Sequence, residues 1–173
     1  RISMTDESVF EVGRNIANTE GAVVFENELM QLIQYAPLTP KVGALPLVVV
    51  PPCINKFYIM DLQPDNSLIR FMVDQGNTVF LVSWRNPTEA QGHLTWEDYL
   101  EHGPIAALHV VQEITKVKQI NALGFCVGGT ILSSALAVLK ARGESPVASL
   151  TLLTTLLDFS DTGEIGLFID ENG

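Results

Sequence analysis

Hydrophobic residues are grouped along this chain in a way that predicts alternating strands and helices from residue 45 onward. The runs that are short and apolar enough to be buried strands are 45–50, 78–84, 120–123 and 147–157. The segments between them with helical spacing or helix-favouring composition are 67–74, 95–114 and 130–141. Alternation of this kind favours a mostly parallel sheet that is covered by helices on both faces and joined by right-handed crossovers.

The first 40 residues follow a different pattern. Apolar residues recur at a loose helical spacing over 4–18, which predicts a short helix packed on the core. The stretches 22–25 and 29–35 are β-like and are separated by a polar connector, which predicts an antiparallel hairpin at one edge of the sheet. We therefore predict a fold of the α/β class, with the helix and hairpin in 1–40 and the core strands and helices in 41–173.

Two signals mark the predicted helical region 95–114. Thr95 and Asp98 have the spacing of a capping box, which predicts that a helix begins after Thr95. Pro104 lacks a backbone N–H and clashes with the preceding helical turn, so we expect it to kink or restart this helix.

The segment with the clearest chemistry is 124–128, a G-x-C-x-G pentapeptide between a predicted strand and a predicted helix. A strand, a sharp turn flanked by glycines and a helix form the nucleophile elbow of the α/β-hydrolase fold, here with Cys126 in place of the usual serine. A Cβ at Gly124 or Gly128 would crowd the adjoining backbone. The helix N-terminus favours the Cys126 thiolate, and the turn aims the N–H of Val127 at the oxygen of a bound acyl group. We predict Cys126 as the nucleophile and Val127 as an oxyanion donor.

A structural role for Cys126 is the alternative, because a cysteine in an apolar stretch often serves as a small buried hydrophobe. The strand before it and the helix after it favour catalysis.

A second oxyanion donor is predicted in the loop after the first buried strand. Pro51 and Pro52 have no N–H groups, so the nearest remaining donors are the backbones of Cys53 and Ile54. In α/β-hydrolases the corresponding loop supplies the second N–H of the oxyanion hole. By position we predict Cys53, with Ile54 as the alternative register. Composition alone allows a rigid connector with a buried cysteine equally well.

Composition and charge argue against several classes of function. The chain has 20 acidic and 10 basic residues, a net charge of −10 and no basic patch, which argues against nucleic-acid binding. No apolar stretch has the length of a transmembrane segment, and the N-terminus has no signal-peptide pattern. Two cysteines do not make a disulfide framework, which favours a reducing cytosol. No Cys/His group has the spacing of a zinc site, and we expect neither a metal nor a cofactor.

The residues that would activate Cys126 are missing from the expected positions. A cysteine nucleophile needs a base and an acid that orients the base, and in α/β-hydrolases both follow the nucleophile in the chain. His93, His102 and His109 all precede Cys126, so none can be the base in this fold. We predict that His102 and His109 are helix-surface or packing residues and that His93 belongs to a loop. Asp158 follows a predicted strand, and we assign it to turn formation because no histidine follows it.

The stretch 124–130, Gly-Phe-Cys-Val-Gly-Gly-Thr, resembles the lipase-box-like motif of poly(3-hydroxyalkanoate) synthases. Three further stretches resemble the same family, so that the likeness extends over nearly the whole chain: 51–62, 80–87 and 152–159. The Phe-Cys-Val core of the motif is most similar to the class I enzymes, which prefer short-chain hydroxyacyl-CoA.

The resemblance implies an acyltransferase that polymerises (R)-3-hydroxyacyl-CoA, releases CoA and carries the growing polyester chain as a thioester on Cys126. It implies that the catalytic Asp and His lie beyond Gly173. The segment 1–173 would then be a partial catalytic domain, without its cap region, and inactive alone. Family members act as dimers at the surface of polymer granules in the cytoplasm, and we expect the same of the complete protein.

Two other functions stay open beside this one. A different α/β-hydrolase with a cysteine nucleophile, such as a thioesterase or a dienelactone-type hydrolase, would use water in place of the hydroxyl acceptor. A non-catalytic granule-binding scaffold would carry the elbow as a vestige, and its Cys126 would react with thiol reagents no faster than Cys53.

Overall fold

A six-stranded sheet organises the computed structural model, which describes residues 6–168. Its strands are β1 Gly21–Glu26, β2 Met30–Tyr35, β3 Leu47–Val50, β6 Val79–Trp84, β7 Ile120–Phe125 and β8 Val147–Leu153. A separate small sheet consists of β4 Asp61–Gln63 and β5 Asn66–Ser67. The α-helices are α1 Leu68–Asp74, α2 Trp96–Leu100, α3 Ala106–Thr115 and α4 Val127–Ala141. Short helical segments of other types are Glu7–Val9, Phe57–Met60, Glu89–Gln91, Glu101–Ile105 and Gly163–Phe168.

The strand order across the large sheet is β1-β2-β6-β3-β7-β8. Strands β3, β6, β7 and β8 are parallel, whereas β1 and β2 form an antiparallel hairpin at one edge. Asn27 shapes the hairpin connection, because its Oδ1 accepts hydrogen bonds from the N–H groups of Leu29 at 2.9 Å and Met30 at 3.0 Å. The predicted α/β class, parallel core and edge hairpin are confirmed.

Helices cover both faces of the large sheet, as the alternation of elements predicts. Side chains alternate between the two faces along a strand, so neighbouring residues of β3 belong to different clusters. Val49 packs with Ile69 of α1 on one face, and Val48 packs with Leu132 of α4 on the other. Because both faces of β3 are buried, its sequence is continuously apolar rather than alternating.

The helix signals at Thr95 and Pro104 are confirmed. The Thr95 N–H donates to Asp98 Oδ2 at 2.7 Å, and the Asp98 N–H donates back to Thr95 Oγ1 at 3.3 Å. The backbone leaves the helical conformation at Gly103, with φ −98° and ψ −107°. The predicted region is therefore divided into α2 and α3, which are joined by the π-helical turn Glu101–Ile105.

The predicted helix over 4–18 is wrong for its described part. Only Glu7–Val9 is helical, as one 3-10 turn. Gly13 and Ala17 have positive φ values of 85° and 53°, which a right-handed helix cannot contain. The side chain of Val12, which belonged to the predicted apolar face, is 55% exposed. The first two residues of the predicted helix lie outside the described residues.

The predicted buried strand over 147–157 is shorter and more exposed than expected. β8 ends at Leu153, and Thr154 follows with φ 46°, which ends the extended conformation. Within residues 6–168, β8 pairs only with β7, and Leu150 is 40% exposed. The prediction of burial is wrong because an apolar run does not reveal whether a strand has neighbours on both sides.

Candidate active site

Cys126 occupies the turn between β7 and α4. Its backbone has φ 54° and ψ −128°, in a region that costs a residue with a Cβ on the order of 1–3 kcal/mol and persists only where the surroundings enforce it. Its N–H donates to the Leu153 carbonyl at 2.9 Å, and its carbonyl accepts from the Gly129 N–H at 2.9 Å. The end of β8 and the first turn of α4 therefore hold the strained turn in place.

Gly124, Gly128 and Gly129 lie where no side chain fits. A Cβ on Gly124 would lie 2.9 Å from the backbone nitrogen of Gly129, and one on Gly128 would lie 2.6 Å from the carbonyl carbon of Pro51. A Cβ on Gly129 would lie 2.7 Å from Thr155 Cγ2. Contacts this close would force the neighbouring atoms to move. The crowding predicted at Gly124 and Gly128 is confirmed, and Gly129 adds a third position of the same kind.

Val127 is the first residue of α4. The N–H groups of the first helical turn have no acceptor within the helix, and no other residue of 6–168 accepts a hydrogen bond from the Val127 N–H. The positive end of the helix dipole lies at the same place. An unused donor therefore stands next to Cys126.

The loop after β3 forms a tight turn. The Asn55 N–H donates to the Pro52 carbonyl at 3.3 Å, which places Cys53 and Ile54 at the two central positions. The turn does not use the N–H of either residue, and in the described part of the chain no other residue accepts a hydrogen bond from them. The Cys53 N–H interacts with the sulfur of its own side chain. The Cys53 side chain is half-buried against the core, and this burial raises the pKa of its thiol, whereas Ile54 is 78% exposed. The setting of Cys53 therefore suits its backbone N–H to act as a hydrogen-bond donor better than it suits its thiol to act as a nucleophile.

The elbow and the Pro51 loop meet at one edge of the sheet. β3 and β7 are parallel neighbours, with Val50 opposite Gly124, so the segments that follow them leave the sheet at the same edge. Gly128 lies directly against the carbonyl groups of Val50 and Pro51. The structure thus brings together the two loops that the sequence places at strand ends.

Trp84, the last residue of β6, belongs to the same edge and was missed by sequence reasoning. Its indole N–H donates to the Pro51 carbonyl at 2.8 Å, and the residue is 7% exposed. Its ring lies 5.8 Å from the ring of Tyr99. A tryptophan at the end of a buried strand is the only signal in the sequence, and it does not reveal which carbonyl accepts the N–H.

The three histidines are exposed, and His109 lies at the far end of α4 from the elbow. His109 Nε2 contacts Glu144 Oε2 at 2.9 Å, just beyond the C-terminus of α4, whereas Cys126 precedes the N-terminus of that helix. The 15 residues of α4 span about 22 Å at 1.5 Å per residue. His102 lies in the π-helical turn and His93 in a loop turn. These positions agree with the prediction that the histidines are surface, packing or loop residues.

Asp158 forms a turn, as predicted. Its Oδ1 accepts a hydrogen bond from the Ser160 N–H at 2.9 Å. Hydrogen bonds from Ser160 hold the pKa of the Asp158 carboxyl below its usual value. The carboxylate is therefore engaged locally, three residues before Asp161 begins a second turn with Gly163.

Residues 6–168 contain neither a metal-binding cluster nor a membrane-spanning helix. Three or more His, Cys, Asp or Glu side chains are nowhere grouped there so as to hold a metal ion. None of the described helices combines the length and apolar content needed to cross a bilayer.

Two family models match the chain. The model for the N-terminus of poly-beta-hydroxybutyrate polymerase (PhaC) matches residues 1–72. The model for the alpha/beta hydrolase fold matches residues 46–172, which include the Pro51 loop and the elbow. The predicted fold family is confirmed.

Curated relatives match almost the whole chain. It is 66% identical over 171 residues to the poly(3-hydroxyalkanoate) polymerase subunit PhaC of Cupriavidus necator, which covers 99% of this chain and 29% of the relative. It is 44% identical over 172 residues to poly(3-hydroxyalkanoate) polymerase 1 of Ectopseudomonas oleovorans, which covers 98% of this chain and 30% of the relative. The chain therefore spans less than a third of the length of these relatives.

Solved structures of ester hydrolases share the fold. An ester-hydrolase from the metagenome of Lake Arreo matches with a TM-score of 0.61 at 15% identity, over 94% of this chain and 52% of that one. The esterase rPPE matches with a TM-score of 0.58 at 16% identity, over 95% of this chain and 52% of that one. At this level of identity the likeness concerns the fold alone.

Proposed function

The chain belongs to the poly(3-hydroxyalkanoate) polymerase family within the α/β-hydrolase fold, and from this membership we propose that Cys126 is the nucleophile of an acyltransferase. The complete enzyme polymerises (R)-3-hydroxyacyl-CoA into polyhydroxyalkanoate and releases CoA. The observation that carries the proposal is the strained backbone of Cys126, with φ 54°, at the N-terminus of α4. The N–H of the next residue, Val127, has no acceptor within residues 6–168.

In the first half of the proposed reaction, the Cys126 thiolate attacks the thioester carbonyl of hydroxyacyl-CoA. A bond from the carbonyl carbon to Sγ forms and the bond to the CoA sulfur breaks, so one thioester replaces another and the exchange is nearly balanced in free energy. The thiolate of CoA is a good leaving group, and so is Cys126 in the next step. The N-terminus of α4 supports this role because its free N–H groups and the positive end of its dipole attract negative charge.

The oxyanion of the tetrahedral intermediate needs hydrogen-bond donors. We assign the N–H of Val127 and the N–H of Cys53, since no other residue of 6–168 accepts a hydrogen bond from either and both follow strand ends at the same edge. Ile54 is the alternative to Cys53. The half-buried position of Cys53 supports our choice, because donors act more strongly where water is excluded.

In the second half, the 3-hydroxyl of another hydroxyacyl unit attacks the acyl group on Cys126. This step needs a base to accept the hydroxyl proton. His93, His102 and His109 all precede Cys126 in the chain. We propose that the histidine base and its Asp partner are supplied from outside these 173 residues, after Gly173, as in the family that the chain resembles.

The proposed substrate is a short-chain hydroxyacyl-CoA such as 3-hydroxybutyryl-CoA. The Phe-Cys-Val core of the motif supports this choice, and so does the match to the N-terminal model of poly-beta-hydroxybutyrate polymerase. The growing polyester chain is the second ligand. The complete protein is proposed to act as a homodimer at polymer granules in the cytoplasm, on the strength of the family resemblance.

Replacement of Cys126 tests the proposal in the protein expressed from its complete coding sequence. With (R)-3-hydroxybutyryl-CoA as substrate, Cys126→Ala is expected to reduce polymer formation and CoA release to background. Cys126→Ser is expected to lose most activity, because the much higher pKa of a hydroxyl leaves almost no anion at neutral pH. Substantial polymer formation by Cys126→Ala would contradict the assignment.

Product analysis of the unmutated protein separates polymerisation from hydrolysis. A polymerase converts the substrate into polyester, whereas a thioesterase or dienelactone-type hydrolase converts it into free hydroxy acid. Free acid as the main product would show that the acyl acceptor is water and not the proposed hydroxyl group.

A further inference from the structure

The loop after β3, which carries the proposed donor Cys53, begins with the Pro51–Pro52 peptide, and this peptide has no N–H that could donate to the rest of the backbone. Proline has no N–H, so this peptide unit carries a single polar atom, the Pro51 carbonyl oxygen. That oxygen accepts the indole N–H of Trp84 at 2.8 Å, and Trp84 is 7% exposed. The hydrogen bond therefore fixes the one polar atom through which the peptide plane can be oriented.

The orientation of this peptide plane determines where the next N–H points. Pro52 follows at once, with φ fixed by its ring, and its own carbonyl accepts the Asn55 N–H at 3.3 Å. Cys53 lies inside that turn. A rotation of the Pro51–Pro52 peptide would therefore change the direction in which the N–H of Cys53 points.

The same carbonyl group lies against the elbow. A Cβ on Gly128 would lie 2.6 Å from the Pro51 carbonyl carbon and 2.5 Å from its oxygen. Gly128 directly follows Val127, the other proposed donor. The Pro51 carbonyl is thus held between the indole of Trp84 and the first turn of α4. Its position therefore influences how far apart the N–H groups of Cys53 and Val127 lie.

The indole is itself held by the kink between α2 and α3. Gly103 is the residue that leaves the helical conformation, and a Cβ there would lie 2.9 Å from Trp84 Cζ3. The ring of Tyr99, at 5.8 Å, flanks the indole. The absence of a Cβ at Gly103 therefore leaves room for the indole.

We propose that Trp84 is a positioning residue for the oxyanion site: its indole N–H holds the Pro51 carbonyl so that the N–H groups of Cys53 and Val127 converge on one oxygen. The proposal rests on the proposed function of Cys126. It adds a residue from a third strand, β6, to a site otherwise built from the segments after β3 and β7.

Trp84→Phe removes the N–H and keeps an aromatic ring. The other tryptophan, Trp96, is 49% exposed and lies at the start of α2, so Trp96→Phe is the matched control. The test uses the protein expressed from its complete coding sequence. Polymerisation of (R)-3-hydroxybutyryl-CoA gives kcat and KM, and the burst of nitrophenolate from p-nitrophenyl butyrate gives the rate of acylation of Cys126 without CoA or polymer.

Trp84→Phe is expected to lower kcat and the acylation rate by about 10- to 100-fold. This loss is smaller than the one caused by removing an oxyanion donor itself, because the donors would remain but point less accurately at the oxygen. KM is expected to stay within about twofold, because the donors act mainly in the transition state. Alkylation of Cys126 by iodoacetamide forms no oxyanion, so its rate should stay within about twofold of the unmutated protein. Trp96→Phe should match the unmutated protein in all three measurements.

Unchanged acylation in Trp84→Phe would overturn the proposal. A parallel loss of acylation and alkylation would also overturn it, because Trp84 would then act only as packing. If Trp84→Phe does not fold, β-(3-benzothienyl)alanine at position 84 keeps the shape of indole with sulfur in place of the N–H, and the same expectations apply. If the unmutated protein is acylated by the ester but makes no polymer, the proposed function fails, and the Trp84 assignment is decided by the ester rates alone.

Discussion

At the scale of single residues, the two cysteines lie at the same edge of the sheet in opposite environments. Cys126 has a strained backbone at the N-terminus of α4, and no residue of the described part of the chain accepts a hydrogen bond from the N–H of Val127, which follows it. Cys53 lies in a tight turn with its side chain against the core, and burial raises the pKa of its thiol. Within residues 6–168 the unused donors that we assign to the oxyanion are the N–H of Cys53 itself and the N–H of Val127, since the N–H of Cys126 is bound to the Leu153 carbonyl. Only Cys126 occupies the strained turn at a helix N-terminus that we propose for the nucleophile.

This difference predicts unequal labelling by iodoacetamide. Below pH 8, Cys126 should be alkylated faster than Cys53, because the raised pKa of Cys53 keeps its sulfur protonated. The rate at Cys53 should rise only as the pH passes above the usual range of a free thiol. Mass spectrometry of peptides from a time course over several pH values measures both rates in one sample. Equal rates at the two cysteines would indicate that Cys126 is structural.

At the scale of elements, the site is held together by close contacts between the start of α4 and the segments after β3 and β8. The start of α4 lies against the end of β3 at Gly128, and Thr155 lies against Gly129. The Thr130 hydroxyl also donates to the Leu156 carbonyl at 2.8 Å, which ties the segment after β8 to the same helical turn. The elbow is thereby fixed by the strands on both sides of it.

Gly128→Ala is expected to destabilise the protein by roughly 1–3 kcal/mol. Alanine is favoured over glycine in a helix by about 1 kcal/mol, but the new Cβ would lie 2.6 Å from the Pro51 carbonyl carbon, and backbone atoms cannot move aside cheaply. Gly43→Ala is the control, because the nearest atom to its Cβ is 3.8 Å away. Urea unfolding of both variants measures the difference, and equal midpoints would show that the elbow has room at Gly128.

Ser67→Ala is expected to cost more stability than Thr95→Ala, although both residues cap helices. Ser67 accepts the Arg70 N–H at 2.9 Å and donates to the buried carboxylate of Asp61 at 2.6 Å. Its loss removes a cap, worth about 1 kcal/mol, and one of two hydroxyl donors to the buried Asp61 side chain, worth roughly 1 kcal/mol. The other donor, Thr19 Oγ1, stays bound to Asp61 Oδ1 at 2.6 Å. The cap at Thr95 is exposed. Urea unfolding compares the two variants, and a larger loss for Thr95→Ala would show that Asp61 does not depend on Ser67.

The elements that the sequence predicted correctly are those with local signals. The hairpin, α1, the capping box at Thr95 and the kink at Pro104 each depend on residues a few positions apart. The helix over 4–18 failed because positive φ values at Gly13 and Ala17 are not visible in a pattern of apolar residues. The exposure of β8 and the hydrogen bond of Trp84 depend on residues distant in sequence, so no local pattern could reveal them.

At the scale of the whole molecule, the large sheet has two different edges. The antiparallel hairpin of β1 and β2 forms one, and parallel strand β8, with Leu150 40% exposed, forms the other within residues 6–168. The elbow lies between them, beside β3 and β7. The chain thus holds the strands that carry the proposed nucleophile and oxyanion donors, and no histidine follows Cys126 in it.

The 173-residue chain alone is therefore expected to form no polymer from (R)-3-hydroxybutyryl-CoA. Without a base, the 3-hydroxyl cannot lose its proton as it attacks the acyl group. The chain should be shown to be folded by circular dichroism and then compared with the product of the complete coding sequence at equal concentration. Measurable turnover by the chain alone would mean that one of its own histidines, all before Cys126, acts as the base.

The covalent intermediate provides the most direct test of Cys126 as the acyl-carrying residue. The protein expressed from its complete coding sequence is mixed with (R)-3-hydroxybutyryl-CoA, quenched in acid within one turnover, digested and analysed by mass spectrometry. We predict hydroxybutyryl units on the peptide that contains Cys126, removable by hydroxylamine as a thioester should be, and absent from Cys126→Ala. Hydroxybutyryl units on Cys53, or on no cysteine while polymer accumulates, would contradict the assignment.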